Sequence, residues 1–158
     1  MSLKIRRVVT GHDATGKAVV KIDEMAKNVI SNRPGASSCV VWSTSEFPVN
    51  NDGDVDPSAK SIGTTIEKGT VFRIVRYEPG VTPRNHRTDS IDYAVVISGE
   101  IEMDLDGEVV SLKQGDVLVQ RGTIHNWINR GTEPCVIAFV LVASKPVSAG
   151  GKTLNAHG

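Results

Sequence analysis

The sequence predicts an all-β fold, and three observations carry that prediction. From Val71 onward, short apolar stretches recur every ~8–12 residues with turn residues between them, the spacing of a sandwich or barrel. In "IEMDLDGEVVSL" Ile101, Met103 and Leu105 alternate with acids, the period-two signature of a strand with one buried face. No long stretch shows the 3.6-residue period of an amphipathic helix.

Each element follows from its residues. "KIRRVVTGHDATGKAVVKI" reads as a hairpin with its loop at Gly11–Gly16. "DEMAKNVI" reads as either one helical turn or a strand, "SNRPGA" as a loop and "SSCVVWSTS" as a strand. Phe47 to Ser61, "FPVNNDGDVDPSAKS", is polar and turn-rich, so a surface loop or a lid. "VFRIVRYEPG" is a strand ended by Pro79-Gly80, and "DYAVVISGE" is a strand ended by Gly99. "IEMDLDGEVVSL" sets Ile101, Met103 and Leu105 against acids and turns at Asp106-Gly107, a strong hairpin signal. "DVLVQRGTIHNWINR" is two strands broken at Gly122, and "CVIAFVLVA" closes the series. The expected division is residues 1–64 as N-terminal strands and a loop extending the barrel, 65–147 as the barrel core, and 148–158 as a disordered tail. Strand edges in such a chain need cover, which leads us to expect a homodimer.

The bulk numbers narrow the function. A chain of 158 residues is one domain's worth and buries a real core. Lys and Arg total 18 against 18 Asp and Glu, so no electrostatic footprint points to nucleic acid or an anionic membrane. The longest apolar run, Cys135 to Ala143, is too short to span a bilayer as a helix. The N-terminus lacks the pattern of a signal peptide, so a cytoplasmic protein is expected. Cys39 and Cys135 lie inside apolar runs and read as buried free thiols.

Two motif-like stretches carry little. "GHDATGKA" spaces Gly11, Gly16 and Lys17 as a phosphate loop would, but Ala18 offers no hydroxyl and a strand, not a helix, follows. "DGDVDP" spaces Asp52, Asp54 and Asp56 as a calcium loop would, but Pro57 replaces the turn glycine and Gly63 the bidentate glutamate. It reads as a solvated acidic loop. His12 and His157 read as exposed.

The chemistry lies in "PGVTPRNHRTDSIDYAVVISGE" and "GDVLVQRGTIHNWIN". The first resembles the first motif of the cupin superfamily: Gly80, five residues, His86, Thr88 at the second histidine, Asp92 at the glutamate, then Gly99. The second resembles the second cupin motif, with Gly115-Asp116, Gly122, His125 and Asn129 in place, and Gln120 where proline is usual. One hairpin, Glu100 to Gln114, separates them. The resemblance covers about Val71 to Ala143 and implies a double-stranded β-helix, the jelly-roll barrel of cupins. Two of the three first-motif ligand identities differ from the family pattern.

Strand parity agrees with this. His86, Thr88 and Asp92 share one face of an extended segment, continued by Ala94 and Val96. Tyr93, Val95 and Ile97 occupy the other face and are also apolar, which predicts a second layer over that strand. His86, Asp92 and His125 make a two-histidine, one-carboxylate set suited to Fe, Mn, Ni or Zn. Two readings stay open: a metal centre, or histidines lining a pocket and hydrogen-bonded to Thr88, Asp92 or water. Trp127 shares the face of His125 and is either cavity wall or core. Arg84 and Arg87 flank His86 and read either as solvated surface residues or as a grip for a carboxylate. Arg73 and Arg76 have opposite parity, so at most one points inward.

The expected function is a cupin-type enzyme acting on a small, possibly carboxylated, organic substrate in the barrel: a dioxygenase, decarboxylase or isomerase, probed at His86, His125 and Asp92. The resemblance brings no organic cofactor. The alternative is a non-catalytic cupin that binds a small ligand with a degraded metal site.

Overall fold

The computed structural model describes residues 2–158. It is built from thirteen strands: β1 (Arg6–His12), β2 (Ala18–Met25), β3 (Ile30–Arg33), β4 (Ala36–Thr44), β5 (Thr70–Tyr77), β6 (Ser90–Ser98), β7 (Glu100–Asp104), β8 (Val109–Lys113), β9 (Val117–Arg121), β10 (Asn126–Ile128), β11 (Cys135–Ala143), β12 (Val147–Ala149) and β13 (Lys152–Leu154). A six-stranded sheet in the order β3-β4-β5-β11-β6-β9 faces a three-stranded sheet in the order β10-β7-β8. The pairs β1-β2 and β12-β13 form separate two-stranded sheets. The only helical piece among the described residues is one 3-10 turn at Pro57–Ala59. The architecture is the expected all-β double-stranded β-helix.

The core lies between the two sheets. Val71, Val75 and Tyr77 of β5, Ala94 and Val96 of β6, and Ile137, Phe139 and Leu141 of β11 come from the large sheet. Ile101 and Met103 of β7, Leu112 of β8 and Trp127 of β10 meet them from the small one. Every one sits at the parity that period-two alternation assigns to the inner face. The cysteines are buried and free, as expected. The glycine that closes β6 is needed there: Gly99 has φ +78, and a Cβ on it would lie 2.4 Å from the Pro134 carbonyl oxygen.

Four expectations are corrected. The tail, expected to be disordered from residue 148, forms the β12-β13 hairpin, because Gly150 and Gly151 both take positive φ and make a tight turn of what composition suggested was a flexible run. Its end returns to the barrel, where Arg87 and His157 exchange backbone hydrogen bonds of 2.8 and 2.9 Å. The "SNRPGA" loop is instead the turn of a β3-β4 hairpin, with Ile30–Arg33 paired to β4. The third correction concerns the outer face of β6. Tyr93, Val95 and Ile97 are 50, 45 and 45% exposed. Among the described residues a second layer covers the other end of the sheet, where Leu3 packs with Cys39 and Ile74, and it does not include β6. Fourth, the acidic loop is not simply solvated. Asp56 caps the 3-10 turn and pairs with Arg7, a residue only 4% exposed that also binds Glu24, while Asp54 pairs with Lys21.

Candidate active site

The site is organised by one isolated antiparallel bridge. His86 N–H donates to the His125 carbonyl at 3.0 Å, and His125 N–H donates to the His86 carbonyl at 2.9 Å. Opposed residues of such a pair point to the same face, so the two rings meet with centroids 4.3 Å apart. The chain brings them together from the two sequence motifs, 39 positions apart by their numbers (125 less 86).

Each imidazole is oriented by its own strand. His86 Nδ1 lies 3.0 Å from the Arg84 carbonyl, and His125 Nδ1 lies 2.9 Å from the Thr123 carbonyl. A carbonyl only accepts, so each Nδ1 carries the proton and each Nε2 carries the lone pair. Neither Nε2 has a hydrogen-bond partner among the described residues. Burial first, then the neighbouring His125, pushes His86 down to about 4, and burial lowers His125 as well. Both rings are therefore neutral near pH 7.

Asp92 lines the same cavity but is held in a different contact. Thr88 Oγ1 lies 2.8 Å from Ser90 Oγ, and Ser90 donates to Asp92 Oδ1 at 2.5 Å. The three residues are successive members of one strand face. Burial raises the Asp92 carboxyl to about 6, against the Ser90 hydrogen bond, which lowers it. The expected metal trio of His86, Asp92 and His125 is not assembled: no group of three His, Cys, Asp or Glu side chains suited to a metal exists among the described residues. The physical reason is that aspartate is one methylene shorter than glutamate and its carboxylate is engaged by Ser90. The two free Nε2 atoms on neutral, backbone-oriented rings do fit as a pair of metal ligands.

The cavity around these groups is small, about 60 Å³, and Trp127, Phe139 and Leu141 supply its apolar wall. Trp127 is both core and wall: 2% exposed, edge-on to His125 and Phe139, and stacked on Tyr77. Arg84 lines the cavity, whereas the Arg87 Nε donates to the Gly122 carbonyl. Of the two β5 arginines it is Arg73 that turns inward; Arg76 pairs with Glu78. Sequence reasoning passed over Ser90 and Arg33. Ser90 could have been found by continuing the His86–Thr88 parity one step; Arg33 sits in a segment misread as loop.

Asn129 is a structural residue. Its Nδ2 donates to the Tyr77 and Glu133 carbonyls, and its Oδ1 accepts from Gly131 N–H. Gln120, at the motif's usual proline, hydrogen-bonds Thr123 through Nε2 and supports the turn that carries His125.

Comparison with known proteins agrees with this geometry. Residues 73–142 match the family model described as "Cupin domain". "Phomopsin biosynthesis cluster protein C'" of Diaporthe leptostromiformis is 39% identical, over 94% of this chain and 84% of its own. The chain is also 38% identical to "Cupin-domain-containing oxidoreductase virC" of Hypocrea virens, over 89% of its own length and 77% of that protein's. The chain is a cupin. Among solved structures, KdgF from Halomonas sp. aligns with a TM-score of 0.49 at 19% identity, covering 73% of this cupin and 87% of that chain. No helix among the described residues is long and apolar enough to cross a membrane.

Proposed function

We propose that this cupin is a small-molecule enzyme of the oxidoreductase type, working in the barrel cavity with His86 and His125 at its centre. The observation that carries the proposal is the histidine pair: two neutral rings 4.3 Å apart, each oriented by a backbone carbonyl through Nδ1. Of the dioxygenase, decarboxylase and isomerase chemistries expected from sequence, the relatives named oxidoreductases favour an oxidative one. Relatives named as biosynthesis cluster proteins favour a biosynthetic intermediate as substrate.

The residues have distinct tasks. Each Nε2 lone pair can accept a substrate proton near neutral pH, since neither ring is already protonated. Asp92 hydrogen-bonds the substrate and, titrating near 6, can hold or release a proton beside it. Trp127, Phe139 and Leu141 keep water from the reacting atoms. The same two Nε2 atoms would hold a divalent Fe, Mn, Ni or Zn ion, which when bound polarises a substrate oxygen as a Lewis acid. We further propose that the protein works as a homodimer, the exposed outer face of β6 being the surface in need of cover.

The test is elemental analysis of untagged protein, purified without chelator, beside His86→Ala and His125→Ala, with a metabolite extract incubated with each. Turnover of a small molecule by the parent, lost in both variants, supports the enzyme reading. Metal in the parent and none in the variants assigns the pair as ligands. Retention of a small molecule without turnover, with or without metal, overturns the enzyme reading in favour of the ligand-binding cupin, which the altered first motif supports.

A further inference from the structure

We propose that Arg33, Arg73 and Arg84 form a carboxylate-binding vestibule at the mouth of the histidine cavity, which makes the substrate an organic acid held by its carboxylate with its carbon body directed at His86 and His125. This deepens the proposed enzyme reading and rests on it only for the word substrate.

The vestibule is a cavity of about 490 Å³. It shares Asn32, Arg33, Thr64, Arg73 and Arg84 with the inner cavity, so the two are continuous and the arginines stand at the join. β3 supplies Arg33, β5 supplies Arg73 and the segment before the His86 bridge supplies Arg84. Three separate parts of the fold thus send a guanidinium to one place.

None of the three is within ion-pair distance of an Asp or Glu side chain among the described residues, although Asp92 acts on Arg73 across the inner cavity. Six ion pairs exist among the described residues, and no member of any is Arg33, Arg73 or Arg84. This is not the overflow of a basic chain, because Lys and Arg exactly equal Asp and Glu in number, 18 each. Instead their N–H groups are spent on main-chain oxygens. Arg33 Nε donates to the Thr82 carbonyl, and Arg73 Nη2 to the Gly63 and Thr64 carbonyls. Arg84 Nε and Nη2 together grip a main-chain oxygen of Gly158, the last of the 158 residues, at 3.1 and 3.0 Å, so a ligand at this edge would take that oxygen's place. That paired edge is the one that takes a carboxylate in a bidentate contact. Arg73 Nε is buried with no acceptor at all. An unpaired buried donor on a cation is costly, and an incoming anion would satisfy it. Burial is the larger cause acting on Arg73 and on Arg84, and a neighbouring arginine adds to it, Arg84 at Arg73 and Arg33 at Arg84, with Asp92 offsetting part of it at Arg73. An anion in the vestibule would offset that repulsion.

The inner cavity sets the rest of the ligand. Its small volume, about 60 Å³, and its wall of Trp127, Phe139 and Leu141 admit a short carbon body, with His86, His125 and Asp92 as the polar groups that face it.

The experiment is calorimetric titration of the parent protein with succinate, butyrate and inorganic phosphate, repeated on Arg73→Met, Arg84→Gln, Arg33→Gln and the His86→Ala/His125→Ala double variant. The expected result is carboxylate binding weakened at least about tenfold in each arginine variant and changed little in the histidine variant. If Arg73→Met does not fold, the more exposed Arg33 and Arg84 variants give the same reading. Tighter binding of phosphate than of either carboxylate, lost in the same variants, overturns the carboxylate assignment. So does absence of binding by any of the three anions, equal binding by parent and arginine variants, or loss of binding in the histidine variant. Because no turnover is measured, the outcome is separate from the enzyme reading: carboxylate binding without catalysis sinks only that reading, and catalysis on neutral compounds without anion binding sinks only this one.

Discussion

His86 and Asp92 are shifted in opposite directions by the same cause, burial, and this gives the protein a characteristic acid response. The His86 pKa falls from 6.5 in the unfolded chain to about 4, so its contribution to stability is present above 6.5 and lost as pH drops toward 4. The Asp92 pKa rises from 3.8 to about 6, so its contribution is present below 3.8 and lost as pH rises through 6. Between about 4 and 6 the two partly cancel. Asp92→Asn removes one side of that balance. Unfolding free energies from urea titrations across this window should then fall more steeply with acid than in the parent, by up to about 1.4 kcal/mol per pH unit. An unchanged slope would show that Asp92 does not titrate there. Asn129 offers a second test at this scale. It is 3% exposed and makes three hydrogen bonds to backbone, so Asn129→Ala should cost roughly 2–4 kcal/mol in chemical denaturation. His86, Thr88, Asp92 and His125 were readable as cavity residues because parity and motif spacing are local. That Asp92 would bond to Ser90 rather than join the histidines was not, since a carboxylate's reach is settled by what stands beside it.

Elements act here through their junctions. The His86–His125 bridge joins the segment before β6 to the turn before β10, and its two backbone hydrogen bonds fix the ring pair whatever the side chains do. The loop from Phe47 to Ser61 is tied to the β1-β2 hairpin by Arg7, whose side chain is 3% exposed against 31% for Asp56 and 38% for Glu24. Since the acids are partly hydrated, Arg7→Met should cost about 1–3 kcal/mol rather than the full cost of a stranded buried charge. It should also speed limited proteolysis within 47–61, which supplies Ser58 and Ser61 to the vestibule wall. Unaltered cleavage would mean the loop is held by other contacts. The hairpins at Gly11–Gly16 and Asp106-Gly107 were legible because turn chemistry is local. β3 and β12-β13 were not: "ISNR" and "KTL" have little apolar content, and pairing with a neighbour makes them strands.

At the scale of the molecule, the outer face of the large sheet divides in two. The N-terminal segment covers the end around Cys39 and Ile74, and leaves Tyr93, Val95, Ile97, Val117 and Val119 facing outward on β6 and β9. Val117 is 72% and Val119 54% exposed, on adjacent antiparallel strands with Tyr93 opposite Val119. A second copy of the chain on this face would bury a continuous apolar patch. Light scattering should then give a dimer mass for the parent and a monomer mass for Val119→Lys with the fold retained. A monomeric parent would reject this interface.

The sequence alone determined the main strands from Val71 onward, the barrel class, the two motifs and the inner face of β6 and β7, because each depends on periods and turn residues read over a few positions. Tertiary structure alone decided that the two histidines would face each other without the carboxylate, that three arginines from distant segments would share one vestibule, and that the tail would return to the barrel beside Arg87. Those outcomes depend on which segments meet, and a sequence read along its length does not contain the distances across it.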